Sequence, residues 1–220
     1  MGLAVAAVLL ALVPRQPFTA PAEDKKAAQG REGSGFGVLF IIGALDTATR
    51  MGYLLFLPFL LHARGGTEAV LGLGLALLFT GGALGKAACG WLGQRLGVVW
   101  SVITTEAATT LLMMATLILP LVPMLAVLPV LGIVLNDTSS VLYGTVPDLA
   151  PKGDIGRGFA LFYTGVIGAG RLAPIGYGLI ADHSNRTVGM MAAALTAAVI
   201  IPLILALRPI LESQRRISAE

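Results

Sequence analysis

The sequence is poor in charge, cysteine and histidine. Only 12% of its 220 residues are charged, compared with roughly 25% in a soluble domain. The single cysteine, Cys89, excludes a disulfide within the chain. The two histidines, His62 and His183, lie in separate loops and show no metal-ligand spacing. With no nucleophile–base constellation either, the pattern predicts neither an enzyme nor a metal site, and it indicates no cofactor and no nucleic-acid partner.

Long apolar runs dominate the chain instead. Hydrophobic residues make up 56% of it, and the mean hydropathy is +0.85. The stretch 158–181 is almost wholly apolar over about 24 residues, and as a helix it reaches roughly 36 Å, enough to cross a hydrocarbon core of about 30 Å. A transmembrane barrel would alternate apolar and polar residues over about ten positions, which these runs do not. The sequence therefore predicts an all-α integral membrane protein that contacts a lipid bilayer.

Six apolar runs are long enough to span a membrane, and short connections join them. We call them segments A (36–61), B (69–92), C (98–119), D (124–146), E (158–181) and F (187–207). Together they form a predicted transmembrane domain, 35–207. Residues 1–13 are too few to span, and we interpret them as the end of a preceding transmembrane helix. Residues 14–34 are predicted to be a linker and 208–220 a basic tail; a signal peptide ending near Ala20-Pro21-Ala22 is the alternative for the first segment.

The basic residues indicate the orientation of the chain. Lysine and arginine concentrate on the cytoplasmic side of membrane proteins. Only Arg64 and Arg186 fall on one side of the predicted spans, and Arg50 and Arg171 lie within spans. We therefore predict a multi-pass protein of the cell membrane with a cytoplasmic linker and C-terminus. The eleven basic residues on the cytoplasmic side are Arg15, Lys25, Lys26, Arg31, Lys86, Arg95, Lys152, Arg157, Arg208, Arg215 and Arg216.

Polar residues inside the spans recur at helical spacing. A charge near mid-membrane costs several kcal/mol unless it faces protein or water, so these residues indicate a polar pathway between the helices. Segment C carries Glu106, Thr109 and Thr110 nearer its cytoplasmic end. The predicted substrate and proton pathway comprises Asp46, Arg50 and Tyr53 on segment A, Asn136, Asp137 and Tyr143 on segment D, and Tyr163 and Arg171 on segment E.

Within the spans, three carboxylates outnumber two arginines. Asp46 and Arg50 stand four residues apart, and one interpretation is a simple ion pair on one helix. Asp137 and Arg171 have two interpretations, a structural bridge between helices or a transport role. The excess of one acid favours proton binding, because a desolvated carboxylate can load and release a proton near neutral pH. Asp137 is our first choice for that role, ahead of Asp46 and Glu106.

Three loops and span ends carry short motifs. The turn between segments B and C matches the pattern G-x-L-x-D-R-x-G-R-R at four positions, and the pattern P-E-L-x-P…R-G is similar to 147–151 with Arg157-Gly158. The end of segment E, 176–182, is similar to G-x-L-x-D. Together with the six spans, these motifs resemble the second half of a major facilitator superfamily transporter. The matching residues of the first motif are Gly90, Leu92, Arg95 and Gly97, while Gln94, Val98 and Val99 depart from it.

The resemblance implies the C-terminal six-helix half of a twelve-helix secondary transporter, built as two inverted three-helix repeats. In that family A, B, D and E would line a central cavity. It implies proton-coupled movement of a small organic molecule, and the partners it implies are an N-terminal half, the substrate and protons. The sequences of 142–145 and 160–164 are similar to those of drug exporters, including fosmidomycin-resistance-like ones, which implies efflux by antiport. The runner-up hypothesis is a non-transporting scaffold, or an orphan half that works only with a partner half.

The resemblance also implies a cytoplasmic gate at the turn between segments B and C. Glycines there would let two helices pack closely and turn sharply. Glu106 does not fit the family's cavity and is expected to pair with Arg95 or Arg157 near the inner mouth. The alternative interpretation of the turn is a short basic loop that obeys only the charge rule. The predicted gate residues are Gly90, Gln94, Arg95, Gly97, Glu106 and Arg157.

Overall fold

The computed structural model describes residues 34–150 and 154–217, with side chains for 35–86, 96–150 and 154–213. All regular structure in these ranges is helical, and six helices are long and apolar enough to cross a membrane. This confirms the predicted all-α fold with six spans. Residues 1–13 and most of the linker lie outside the described ranges and stay predictions. The helices are α1 (Ser34–Ala63), α2 and α3, which are the parts of the helical run Glu68–Ile118 before and after Gly97, α4 (Leu121–Leu149), α5 (Ile155–His183) and α6 (Arg186–Ile217).

The connections follow local signals in the sequence. The helical run from Glu68 to Ile118 is interrupted at Gly97, whose φ of 72° and ψ of 166° are not helical. A residue with a Cβ is strained at such a positive φ, so glycine suits this corner. Asp154 caps α5 by accepting the Arg157 backbone N–H at 2.9 Å. At the far end of the chain, α6 continues to Ile217 and therefore includes most of the predicted tail.

Glycines let two pairs of helices approach closely. Helix α4 packs against α2, where a Cβ at Gly81 would overlap the carbonyl of Pro129 and one at Gly132 would overlap the carbonyl of Leu78. Helix α1 packs against α5, where a Cβ at Gly43 would lie 2.5 Å from the Phe162 ring. Small residues at such seams are typical of helix packing in membranes. The first helix of each predicted three-helix repeat thus packs against the second helix of the other repeat.

The outer surface of the bundle is rich in large apolar side chains, as lipid contact requires. Helix α5 is the least buried: 17% of an apolar stretch of 18 residues within it is buried in the described bundle. The corresponding share for α2 is 28%. The other four helices range from 39% to 44%. Two helices therefore present wide faces that the described chain does not cover. Large exposed side chains on α5 include Phe159, Tyr163, Ile167, Leu172, Ile175 and Leu179.

Candidate functional site

Helices α1 and α4 meet through a predicted arginine. Arg50 Nη1 donates hydrogen bonds to Asn136 Oδ1 at 3.3 Å and to Ser139 Oγ at 3.5 Å. The polar stripes of these two helices therefore face each other, as their spacing predicts. Asp46 lies close enough to Arg50 to interact electrostatically, but the two form no ion pair in the described part of the chain. The expected pair on one helix is thus replaced by contacts between helices, because Arg50 turns toward α4.

Two buried carboxylates lie near this contact. Asp46 on α1 and Glu106 on α3 are 3% and 2% exposed, and their charges repel each other. Thr138 of α4 lies next to the Glu106 carboxylate, and its hydroxyl is 2.8 Å from that of Thr105. Of the two partners expected for Glu106, Arg157 is exposed while Glu106 is buried in the bundle, so these two do not pair. The side chain of Arg95 lies outside the described ranges, so a pair with Arg95 stays a prediction. A helix expected to lie outside the cavity thus contributes an acid to the polar core.

Asp137 and Arg171 occupy different environments. Asp137 is 2% exposed and follows Asn136 on α4. Arg171 is exposed on α5 and forms no ion pair with any residue that the structure describes. The structural bridge between these two residues, one of the two interpretations of the sequence, is therefore absent. The polar core holds the acid, and the open face of α5 holds the arginine.

Three aromatic rings connect α4 to α5. Tyr143 contacts Phe162 edge-on, with ring centroids 5.3 Å apart, and Tyr163 at 5.7 Å. Tyr143 also lies within electrostatic range of Arg50 and Asp46. Tyr163 is 55% exposed. The aromatic group therefore extends the site from its polar core to the open surface of α5.

The structure separates one predicted residue from this site and adds others. Tyr53 is fully buried in the hydrophobic core, next to Thr116 and toward the end of the bundle where Arg64 lies. Thr105 and Thr138 were not predicted. Each stands beside a predicted acid or amide in sequence, but a threonine hydroxyl inside a helix more often bonds to its own backbone. Only the packing of α3 on α4 gives these two hydroxyls their shared contact.

The predicted gate is described only in part. The side chains of Gly90, Gln94 and Arg95 lie outside the described ranges. Gly97 forms the non-helical corner that ends the turn. The charge contacts expected of the gate therefore stay predictions. Across the described residues, no group of three or more His, Cys, Asp or Glu could hold a metal ion.

Comparisons with known proteins agree on the family and the fold. A model of the Major Facilitator Superfamily matches residues 39–220. A mutant of the peptide transporter POT, solved in complex with sulfate, is similar with a TM-score of 0.66 and 22% identity, over 92% of this chain and 41% of its own. The same protein in complex with alafosfalin gives 0.66, 22%, 92% and 42%. No curated protein matches the chain.

At 22% identity, the likeness to the peptide transporter shows the fold alone. The chain spans about two fifths of the length of the solved structures it matches. The matched part holds six helices that pack as one bundle, with a polar core between α1, α3 and α4.

Proposed function

Since the chain belongs to the Major Facilitator Superfamily, whose members are transporters rather than enzymes, we propose that it is one half of a proton-coupled secondary transporter. In this proposal it works with an N-terminal half, in the same longer chain or as a separate subunit. The transporter exports a small organic molecule from the cell by antiport with protons. It lies in the cell membrane with the linker and the C-terminus on the cytoplasmic side.

The uncovered faces of α2 and α5 support the proposal that the transporter contains a second half. These two helices are the least covered in the bundle, and α5 carries exposed Tyr163 and Arg171. Polar groups at membrane depth are costly in lipid, so they are stable where protein or a water-filled cavity covers them. A second six-helix half would supply that cover and close a cavity between the halves.

Proton coupling has its main support in the buried acids. Asp46 and Glu106 lie within electrostatic range of each other in a polar core that water does not reach. Two carboxylates that repel each other resist joint ionisation, so one proton shared between them lowers the repulsion. Asp137 lies in the same core and stays our first choice for the proton that couples to transport, with the Asp46–Glu106 pair as the competing site.

The experiment uses the complete transporter, both halves present, in liposomes that contain a pH-sensitive dye. A panel of drugs of either charge is added, and proton movement is recorded. We expect at least one compound to drive proton movement. Asp137→Asn should abolish that movement while keeping exchange of labelled for unlabelled compound, because the neutral amide can hold substrate but cannot carry a proton.

Two parallel variants decide which acid carries the proton. Loss of coupling in Asp46→Asn or Glu106→Gln, with full coupling in Asp137→Asn, assigns the role to the pair. A wild-type protein that moves no proton with any compound, although it is folded, contradicts proton-coupled transport. That outcome favours the scaffold.

A further inference from the structure

Two buried threonines have hydroxyls without a hydrogen-bond partner in the described part of the chain. Thr49 on α1 and Thr109 on α3 are 1% and 2% exposed. A threonine inside a helix ordinarily donates to a carbonyl of the preceding turn, as Thr105 and Thr110 of α3 do. A buried polar group without a partner is costly and rare in folded proteins, which makes these two oxygens candidate ligand groups.

Helices α1 and α3 face each other along two contacts. Asp46 and Glu106 interact electrostatically, and Tyr53 lies next to Thr116. Because α2 crosses the membrane between them, α1 and α3 run in the same direction. The second contact therefore lies further along both helices than the first, and the two contacts define a buried seam between α1 and α3.

Thr49 and Thr109 lie within this seam at the same depth. Thr49 follows Asp46 by three residues, and Thr109 follows Glu106 by three. Three residues advance a helix by about 4.5 Å and keep a side chain on the same face. Both hydroxyls are therefore one step from the acid pair, in the direction of Tyr53.

The faces of α3 assign Thr109 to the side of α1. Thr105 contacts a threonine hydroxyl of α4 at 2.8 Å, and Thr110 donates to a carbonyl of α6 at 3.3 Å. At about 100° per residue, Glu106 and Thr109 both lie on the arc between these two directions. Since α3 packs between α4 and α6, this arc faces α1.

The faces of α1 give the matching result for Thr49. Arg50 bonds to α4, and Phe56 lies against α6, where a Cβ at Gly189 would be 2.7 Å from its ring. At about 100° per residue, Asp46 and Thr49 lie on the arc between these two directions, which faces α3. Both unpartnered threonines are thus directed into the space beside the acid pair.

The oxygens in this space suit one small monovalent cation. Two carboxylates and two hydroxyls are hard ligands, and Asp46 Oδ2 also has no hydrogen-bond partner in the described structure. The two acids and Arg50 together carry one net negative charge, which a single monovalent ion balances. A divalent ion would leave an uncompensated positive charge in the buried core. K⁺ is larger and needs more oxygens to replace its hydration shell, which leaves Na⁺.

We propose that Asp46, Thr49, Glu106 and Thr109 bind one sodium ion between α1 and α3. The site lies inside the described bundle, apart from the faces that a second half would cover. The ion and the proton that the two acids would otherwise share are alternatives, because each supplies the one positive charge that the pair lacks. The site itself needs only this bundle, whereas a role for that exchange in transport rests on the proposed function.

Competition with the proton makes the affinity for Na⁺ depend on pH. Arg50 and Tyr143 lie within electrostatic range of the pair, and Asp137 is buried on α4. Residues 164–170 of α5 and 190–204 of α6 contain no titratable side chain. We expect the affinity for Na⁺ to fall as the pH falls, because protonation removes the negative charge that the ion requires.

The test uses the complete transporter, purified in detergent, and measures thermal unfolding and binding of radiolabelled Na⁺. NaCl, KCl and choline chloride are compared at constant ionic strength. The wild type should bind Na⁺ and unfold at a higher temperature in NaCl than in either of the other salts, because an ion that binds the folded state alone stabilises it.

Threonine variants locate the ion. Thr49→Val and Thr109→Val should each weaken Na⁺ binding by roughly tenfold or more, because each removes one ligand oxygen and keeps the shape and charge of the site. In choline chloride both should be at least as stable as the wild type, since each removes a buried hydroxyl without a partner. Serine at either position keeps the oxygen and should keep binding. Thr104→Val, whose exposed hydroxyl bonds only within its own helix, should bind Na⁺ like the wild type.

Three results overturn the sodium site: no Na⁺ binding by the wild type, equal stabilisation by NaCl and KCl, or unchanged Na⁺ affinity in both Thr→Val variants. Drug-driven proton movement in Na⁺-free liposomes separates this proposal from the transport function. If it persists while Na⁺ fails to bind, the sodium site is wrong and the transport function stands. If no compound moves protons while Na⁺ binds and the Thr→Val variants lose it, the site stands and the transport function fails.

Discussion

At the scale of single residues, the polar core depends on two hydroxyls that connect α3 to α4 beside a buried carboxylate. Thr138 contacts the Thr105 hydroxyl at 2.8 Å and lies next to the Glu106 carboxylate. All three side chains are less than 5% exposed. A buried polar group that loses its hydrogen-bond partner retains the full cost of leaving water, so this threonine is more important than its neutral side chain suggests.

We expect Thr138→Val to lower the free energy of unfolding by about 1–3 kcal/mol, since it removes the hydroxyl next to the buried Glu106 carboxylate. The Thr105 hydroxyl loses its contact with α4 but keeps its bonds to the Ser101 and Val102 carbonyls. The measurement is thermal unfolding of the purified protein in detergent. Thr104→Val is the matched control, because that exposed hydroxyl bonds only to backbone carbonyls of its own helix. Equal stability of the two variants would contradict the role of Thr138 as a connector.

At the scale of helices, the sequence allows the spans to be predicted more fully than their contacts. Hydropathy and length predict all six spans, because lipid requires a long apolar run in each. The corner at Gly97 could be expected from its place in a glycine-containing turn. The stripe of Asp46 and Arg50 predicts a shared face. It does not predict which helix covers that face, so the turn of Arg50 toward α4 could not be foreseen.

The position of Glu106 shows the same limit. Its distance from the start of segment C suggests the cytoplasmic end, and a basic residue there is the obvious partner in sequence. The structure places it in the bundle because α3 packs between α4 and α6 and turns this face inward. Helix–helix packing decides such contacts, and it depends on small residues distributed over several helices.

The seam between α2 and α4 gives a prediction at this scale. Gly81→Ala would put a Cβ onto the carbonyl of Pro129, so the helices must separate, and we expect a loss of about 1–3 kcal/mol in stability. Gly72→Ala, on the same helix, has nothing within 4 Å of the added Cβ. It should leave stability unchanged or raise it by up to about 1 kcal/mol, because alanine is the better helix former. Thermal unfolding in detergent measures both, and a Gly81→Ala protein as stable as Gly72→Ala would argue against a tight seam.

At the scale of the whole molecule, the bundle is covered unevenly. Its core lies between α1, α3, α4 and α6, whereas α2 and α5 keep open faces. The acids of the spans are buried, Arg50 is partly buried between α1 and α4, and Arg171 is exposed on α5. Arg50 connects α1 to α4 in this arrangement, since it interacts electrostatically with Asp46 and bonds to Asn136.

The orientation of the whole molecule in the membrane is predicted from the distribution of its basic residues, and cysteine labelling tests it directly. Labelling requires cysteines at exposed positions in loops on either side. Gly66, between α1 and α2, is unsuitable, because a Cβ there would lie 2.8 Å from the Leu61 carbonyl oxygen. Thr67 is exposed in the same loop, as is Ser184 in the loop between α5 and α6. Ser213, near the other end of α6, is exposed as well.

With Cys89 replaced by serine, we expect cysteines at Thr67 and Ser184 to react with a membrane-impermeant maleimide in intact cells. Cysteines at Ser213 and at Gln29 in the linker should react only after the cells are opened, because the basic residues hold those segments on the cytoplasmic side. A permeant maleimide, applied to the same variants, controls for accessibility. Labelling of Gln29 from outside would favour the signal-peptide interpretation of the first segment. Labelling of Ser213 from outside, with Thr67 protected, would contradict the predicted orientation and invert the whole topology.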